Sequence, residues 1–116
     1  LFGLLHFANP EVDKFGNEFI IAYILMGFFL GAITLMDEDL ELALGWHFAN
    51  NIIAAALVTA DWSALQTNAI FTYVGDPDVV TMILPSLIIF PLLIYHFSVK
   101  YKWSGWKEKL FGKVNV

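Results

Sequence analysis

The sequence predicts an all-α fold: a multi-pass transmembrane helix bundle with three full spans plus the end of a truncated helix. Three observations predict it. Of 116 residues, 59 % are hydrophobic and 15 % charged, against about 45–50 % and about 25 % in an average soluble domain. A chain this short buries too small a share of its surface to hide that much apolar area in a soluble core. The apolar residues also gather into three stretches of about twenty, the length that crosses a bilayer, and the charges fall between and after them.

The first element, Leu1–Ala8, reads as the last turns of a helix whose beginning is missing. Asn9-Pro10 ends it, because the residue before a proline disfavours the helical region. The acidic segment Glu11–Glu18 connects it to the first span, at about Asn17–Met36. Asp37-Glu38-Asp39 leads into the second span, at about Leu40–Ala60. These acids also suit a helix N-terminus, where the dipole favours negative charge. A longer loop, Asp61–Asp78, closes with Gly75-Asp76-Pro77-Asp78, a turn and helix-start signal before the third span at about Val79–Val99. Gly27 and Gly31 form a small-xxx-small pair, read as a packing notch. Pro85 and Pro91 each remove a backbone donor and should kink the last span. Trp46, Trp62, Tyr73, Tyr101, Trp103 and Trp106 lie near the span ends, where amphipathic rings favour the headgroup region. Residues 1–99 thus form one domain and 100–116 a basic tail.

The charge is uneven. The chain carries a formal net charge of −5, yet Lys14 is the only base before residue 100, and Lys100, Lys102, Lys107, Lys109 and Lys113 follow it against Glu108 alone. A basic segment just after an apolar one reads as cytoplasmic and membrane-proximal. That puts the C-terminus in the cytoplasm, residues 61–78 outside, 37–39 inside and 9–16 outside. The acidic total gives no argument for nucleic acid. The chain has no cysteine, which excludes disulfides, thiolate metal sites and cysteine nucleophiles. The compact loops and the lack of cysteine suggest a prokaryotic inner membrane.

Polar side chains within a span are costly and call for a reason. His6, His47, Asn50 and Asn51 stand out. His47 and Asn51 are four residues apart and project from one helix face. Imidazole can act as general acid or base near neutral pH, or ligate a metal. An amide one turn away can orient that ring, hold a water, or donate to a developing oxyanion. His96, near the end of the last span and beside lysines, reads as a polar residue reaching water. The acids Asp37 and Glu38 read as solvated loop charges.

Set in order, Phe2-Gly-Leu-Leu-His6, an apolar helix with two glycines, and His47-Phe-Ala-Asn-Asn51 resemble the C-terminal half of the CPBP family of intramembrane proteases. That family includes the type II CAAX prenyl endopeptidases and the bacteriocin-processing and self-immunity proteins. Its pattern is Glu-Glu-x3-Arg, then Phe-x3-His, then His-x3-Asn or Asp. Phe2 and His6 match the second motif, and His47 and Asn51 the third; the resemblance is strongest over residues 1–57. The first motif is absent, since no two glutamates are adjacent and the chain has no arginine. A truncated N-terminus is the simplest explanation, and the 116-residue piece is then expected to be catalytically incomplete.

The resemblance implies an intramembrane endopeptidase acting on a membrane-associated or prenylated CAAX-type protein, or on a leader peptide, with membrane lipid as its surroundings. A glutamate from the missing motif would activate water with help from His6 and His47, and Asn51 would stabilise the oxyanion. The same fold also admits a divalent metal such as zinc on His6 and His47, and the choice between metal and no cofactor stays open. Two other readings compete: a catalytically inactive immunity or scaffold protein of the same fold, and a transporter fragment using the histidines as a proton relay.

One geometric tension accompanies this reading. His6 lies near the outer end of its helix, and His47 about 10 Å into its own from the opposite side. The site closes only if the helix at 17–36 is short or tilted, if residues 9–16 dip inward, or if the boundaries lie elsewhere.

Overall fold

A computed structural model describes residues 2–64 and 66–113, with the side chains of Phe2 and Val79 outside the description. The chain opens with a 3-10 helix, Phe2–His6, rather than the α-helical end expected there. Asn9 is extended, with φ −71° and ψ 144°, and Pro10 begins a short helix, α1 (Pro10–Phe15). The proline accounts for both, since it pushes its predecessor out of the helical region and is itself pre-set for the first helical position. The acidic connection of the sequence reading is therefore a helix. Gly16, at φ 98°, turns the chain out of α1, and a 3-10 turn at Asn17–Phe19 leads into α2 (Ile20–Asp37).

Glu38 takes the left-handed conformation, φ 60°, and begins the tight corner to α3 (Glu41–Leu57). α3 stops where β-branched Val58 turns extended, and Val58–Thr59 forms strand β1. Strand β2 (Phe71–Thr72) pairs with β1 in parallel, Val58 opposite Phe71 and Thr59 opposite Thr72. The segment read as a plain loop thus contains a small sheet.

α4 (Val79–Tyr101) follows as one continuous helix that contains both Pro85 and Pro91. Its first turn is capped by Asp78, whose carboxylate accepts from the Val80 and Thr81 N–H groups at 3.2 Å each and from the Thr81 hydroxyl at 2.9 Å. These donors hold the Asp78 carboxyl below the usual carboxylate range, the Thr81 hydroxyl contributing most.

Two of the three expected spans are long and apolar enough to cross a membrane: Asn17–Asp37 and Val80–Tyr101. α3 is not among them. Its 17 residues rise only about 26 Å, short of a hydrocarbon core of about 30 Å, and its middle carries His47, Asn50 and Asn51. Length and hydropathy therefore support two of the three expected spans. Most of the two long helices' surface stays unburied within the protein, so they are not the hidden core of a soluble domain. Together they mark an integral membrane protein.

One aromatic from each long helix pins the bundle. Phe29 of α2 stacks on Phe90 of α4, with centroids 4.4 Å apart and planes 11° from parallel. Trp46 of α3 meets Phe29 edge-on at 4.7 Å and Phe90 at 5.8 Å. Such pairs contribute about 0.5–1.5 kcal/mol each beyond the area they bury. Ile33 and Ala43 lie in the same cluster, with Ile33 wholly inaccessible. A second cluster, of Val12, Phe19 and Ile20 with Phe15, Tyr23 and Met82 around it, holds α1 against the start of α2 and α4.

The expected basic tail is partly helical. α5 (Trp106–Phe111) folds back on the end of α2. There the Lys109 ammonium donates to the Met36 carbonyl at 3.1 Å and pairs with Glu38 at 3.3 Å. The Trp103 indole donates to Asp37 at 3.0 Å. A helix C-terminus leaves its last carbonyls unsatisfied and favours positive charge, and Lys109 meets both needs. Asp37 and Glu38 are therefore engaged by the tail. Gly27 and Gly31 do not form a close packing notch. They line an apolar groove of about 550 Å³ between α2 and α4, with Leu110 and Phe111 of α5 at one end, and a Cβ built on Gly31 meets nothing within 4 Å.

Candidate functional site

The pair that the spacing put on one face is formed. The Asn51 amide nitrogen lies 3.3 Å from His47 Nε2, and both side chains are half-buried on α3. The amide donates to the ring when the imidazole carries its proton on Nδ1. His47 is thereby oriented by a group one turn away, and the amide's carbonyl oxygen is left to face other donors.

His6 is held differently. Its ring stacks on Tyr23 of α2, with centroids 4.3 Å apart and planes 18° from parallel. Tyr23 belongs to a polar knot. Its hydroxyl donates to Glu11 and accepts from the Asn9 amide at 3.0 Å. That amide also reaches Glu11 at 3.2 Å, and the second Glu11 oxygen accepts from the Ala64 N–H at 3.1 Å. Glu11 is only 6 % exposed. Burying a carboxylate is costly unless it is well supplied with donors, and here three donors from three parts of the chain converge on it. Sequence reasoning missed Glu11, Tyr23 and Asn9 as neighbours of His6. Tyr23 is one apolar-tolerant residue in an apolar helix, and Glu11 looked like any acid in a connection. The usable signal was Pro10, which starts a helix at Glu11.

The two histidine-bearing segments both pack on α2. Trp46 of α3 lies beside Phe29 of α2, and His6 rests on Tyr23 of α2, so α2 is the element that both segments share. Of residues 9–16, Glu11 and Val12 are buried within the protein. His96 is exposed, with its ring edge toward Phe97 at 5.9 Å. The side chain of Phe2 lies outside the described residues.

A zinc site takes three or four protein ligands. Among the described residues no group of three or more His, Asp or Glu side chains gathers to hold a metal ion.

The imidazole–amide pair thus lies half-buried on a short helix packed against α2. Residues 1–53 match the model of the family described as type II CAAX prenyl endopeptidase Rce1-like. The resemblance to the CPBP proteases therefore holds over that part of the chain, and both motifs, Phe2 to His6 and His47 to Asn51, fall inside it. The chain is 39 % identical over 59 residues to an uncharacterized protein, YyaK, of Bacillus subtilis (strain 168). The shared segment is 51 % of this chain and 20 % of that relative, so the chain spans about a fifth of the length of the curated relative it matches. No solved structure matches.

Proposed function

We propose that this chain forms part of an intramembrane endopeptidase that hydrolyses a peptide bond in a prenylated CAAX-type or other membrane-associated protein, or in a leader peptide. The observation that carries the reading is the His47–Asn51 pair, formed at 3.3 Å inside the segment that matches the endopeptidase family. In this reading a carboxylate from a Glu-Glu-x3-Arg helix activates a water, with His6 and His47 accepting and returning the proton. The hydroxide attacks the peptide carbonyl, and the Asn51 amide donates to the oxyanion that forms. The imidazole then protonates the leaving amine. The half-buried setting strengthens each of these interactions relative to water.

A second reading keeps the fold and loses the chemistry, giving an immunity or scaffold protein. Residues 1–116 hold no adjacent glutamates and no arginine, so these residues fit this reading as they stand. The test is cleavage of a farnesylated CAAX peptide by the protein encoded by the whole gene, reconstituted in liposomes. His47→Ala is expected to abolish cleavage without loss of folded protein. Cleavage that survives this substitution sinks the peptidase reading, and cleavage missing from the wild type as well favours the silent one.

A further inference from the structure

We infer that Tyr23 and Glu11 are the positioning pair for His6, fixing the plane and depth of its imidazole. The proposal deepens the peptidase reading and rests on it only for its catalytic consequence. Three observations carry it. The Tyr23 ring lies almost flat against the His6 ring, at 4.3 Å and 18°, so it sets the plane of the imidazole. Tyr23 in turn is not free to rotate away, because its hydroxyl is held from two sides, donating to Glu11 and accepting from Asn9. Glu11 is itself anchored at its second oxygen by the backbone of Ala64, in the long connection between α3 and α4. The orientation of His6 is thus specified by the N-terminal segment, α2 and that connection together.

The chemistry of the arrangement favours positioning over a generic structural role. Replacing Glu11 alone would leave three donors without their acceptor and cost stability whatever its role, so the distinction lies in what the cluster faces. Here the carboxylate accepts from a hydroxyl whose ring faces a histidine. A general acid or base must be aimed within a few tenths of an ångström to be effective, and such aim comes from neighbours whose own rotamers are locked. The 3-10 segment that carries His6 is five residues long and cannot by itself supply that rigidity.

The experiment uses histidine-selective isotope labelling of the chain in detergent micelles. His6→Gln assigns the His6 resonances, and His47 and His96 serve as internal references. In the wild type the His6 ring protons are expected upfield, from the ring current of Tyr23. Tyr23→Leu is expected to remove that upfield displacement, while Tyr23→Phe retains much of it with broader lines, because the ring stays but its hydroxyl anchor is lost. The His47 and His96 resonances should stay in place throughout. His6 resonances that are the same in Tyr23→Leu and in wild type overturn the proposal. If Tyr23→Leu does not fold, Glu11→Gln decides: broadening or displacement confined to His6 supports the pair, and an unchanged His6 overturns it. In the peptide-cleavage assay the same variants should lower kcat with KM little changed, in the order Tyr23→Leu below Glu11→Gln below Tyr23→Phe. Absence of cleavage in the wild type defeats the peptidase reading alone, since the resonances still report whether the pair positions His6.

Discussion

Under the peptidase reading the Asn51 amide nitrogen, which lies 3.3 Å from His47 Nε2, has two protons to give: one orients the imidazole and the other serves the oxyanion. Asn51→Ala removes both and is expected to lower kcat by about 10²–10³, the usual cost of an oxyanion donor. Asn51→Asp replaces a donor by a group that only accepts, so it withdraws both contacts and should fall as far. Single-turnover cleavage of the farnesylated peptide measures both, and an Asn51→Ala protein that turns over like wild type would remove the residue from the site. This pair was legible in the sequence because a spacing of four in a helix fixes one face without any tertiary knowledge. The surroundings of His6 were not legible. Tyr23 and Glu11 reach it through a tertiary fold of the N-terminal segment, and neither residue type stands out where it occurs in the sequence.

At the scale of elements, the ends of the helices carry the specific chemistry. Asp78 caps α4, and its carboxyl sits below the ordinary carboxylate range because Thr81 and Val80 donate to it. A folded-state value below the unfolded one means that the cap's contribution is complete above about pH 3.9 and is lost as the pH falls through the lower folded value. Amide exchange at Val80 and Thr81 should therefore accelerate on acidification in the wild type, and Asp78→Asn should flatten that dependence. An identical profile in the two proteins would show that the cap does not govern the first turn.

At the other end of the bundle, Lys109→Met withdraws the donor to Met36 and is expected to cost about 1 kcal/mol. The carbonyl contact dominates, since Glu38 is well exposed (71 %) and exposed ion pairs contribute little. Undocking of α5 would redden the emission of Trp103 and Trp106 and lower Tm, and unchanged emission would mean that the lysine does not hold the helix. The sequence showed the start of α4 to the residue, because Asp78 and the proline-glycine turn before it are local signals. It concealed α5, since a dense run of lysines reads as solvated chain and masks the stripe of Trp106 and Leu110 beneath it. The reach of α3 was overestimated for a related reason: Val58, Thr59 and Ala60 are uncharged and prolong the hydrophobic run beyond the point where β-branched Val58 turns extended and ends the helix.

Across the whole molecule, composition pointed to the membrane class, and α2 with its preceding turn and α4 are long and apolar enough to cross. The packing between them could not be read, because any apolar residue satisfies the pattern and only shape selects Phe29, Trp46 and Phe90. Ile33, wholly inaccessible at the centre of that cluster, gives a direct test: Ile33→Ala should lower stability by about 3 kcal/mol, read as a fall in the thermal midpoint in detergent. A midpoint that does not move would mean that the cluster is not the core. The aromatic triad also has a meaning in time. α2 and α3 are joined by a short corner and can pair as soon as both exist, whereas Phe90 must return to Phe29 across a much longer stretch of chain, a closure that costs entropy before its contacts form. The hairpin bearing His47 and Asn51 is therefore expected to assemble early and the arrival of α4 to come late, with α5 latching last. During synthesis the imidazole–amide pair would then exist before the helix that secures it, and for that interval the two residues would be in place in a molecule still open on one side.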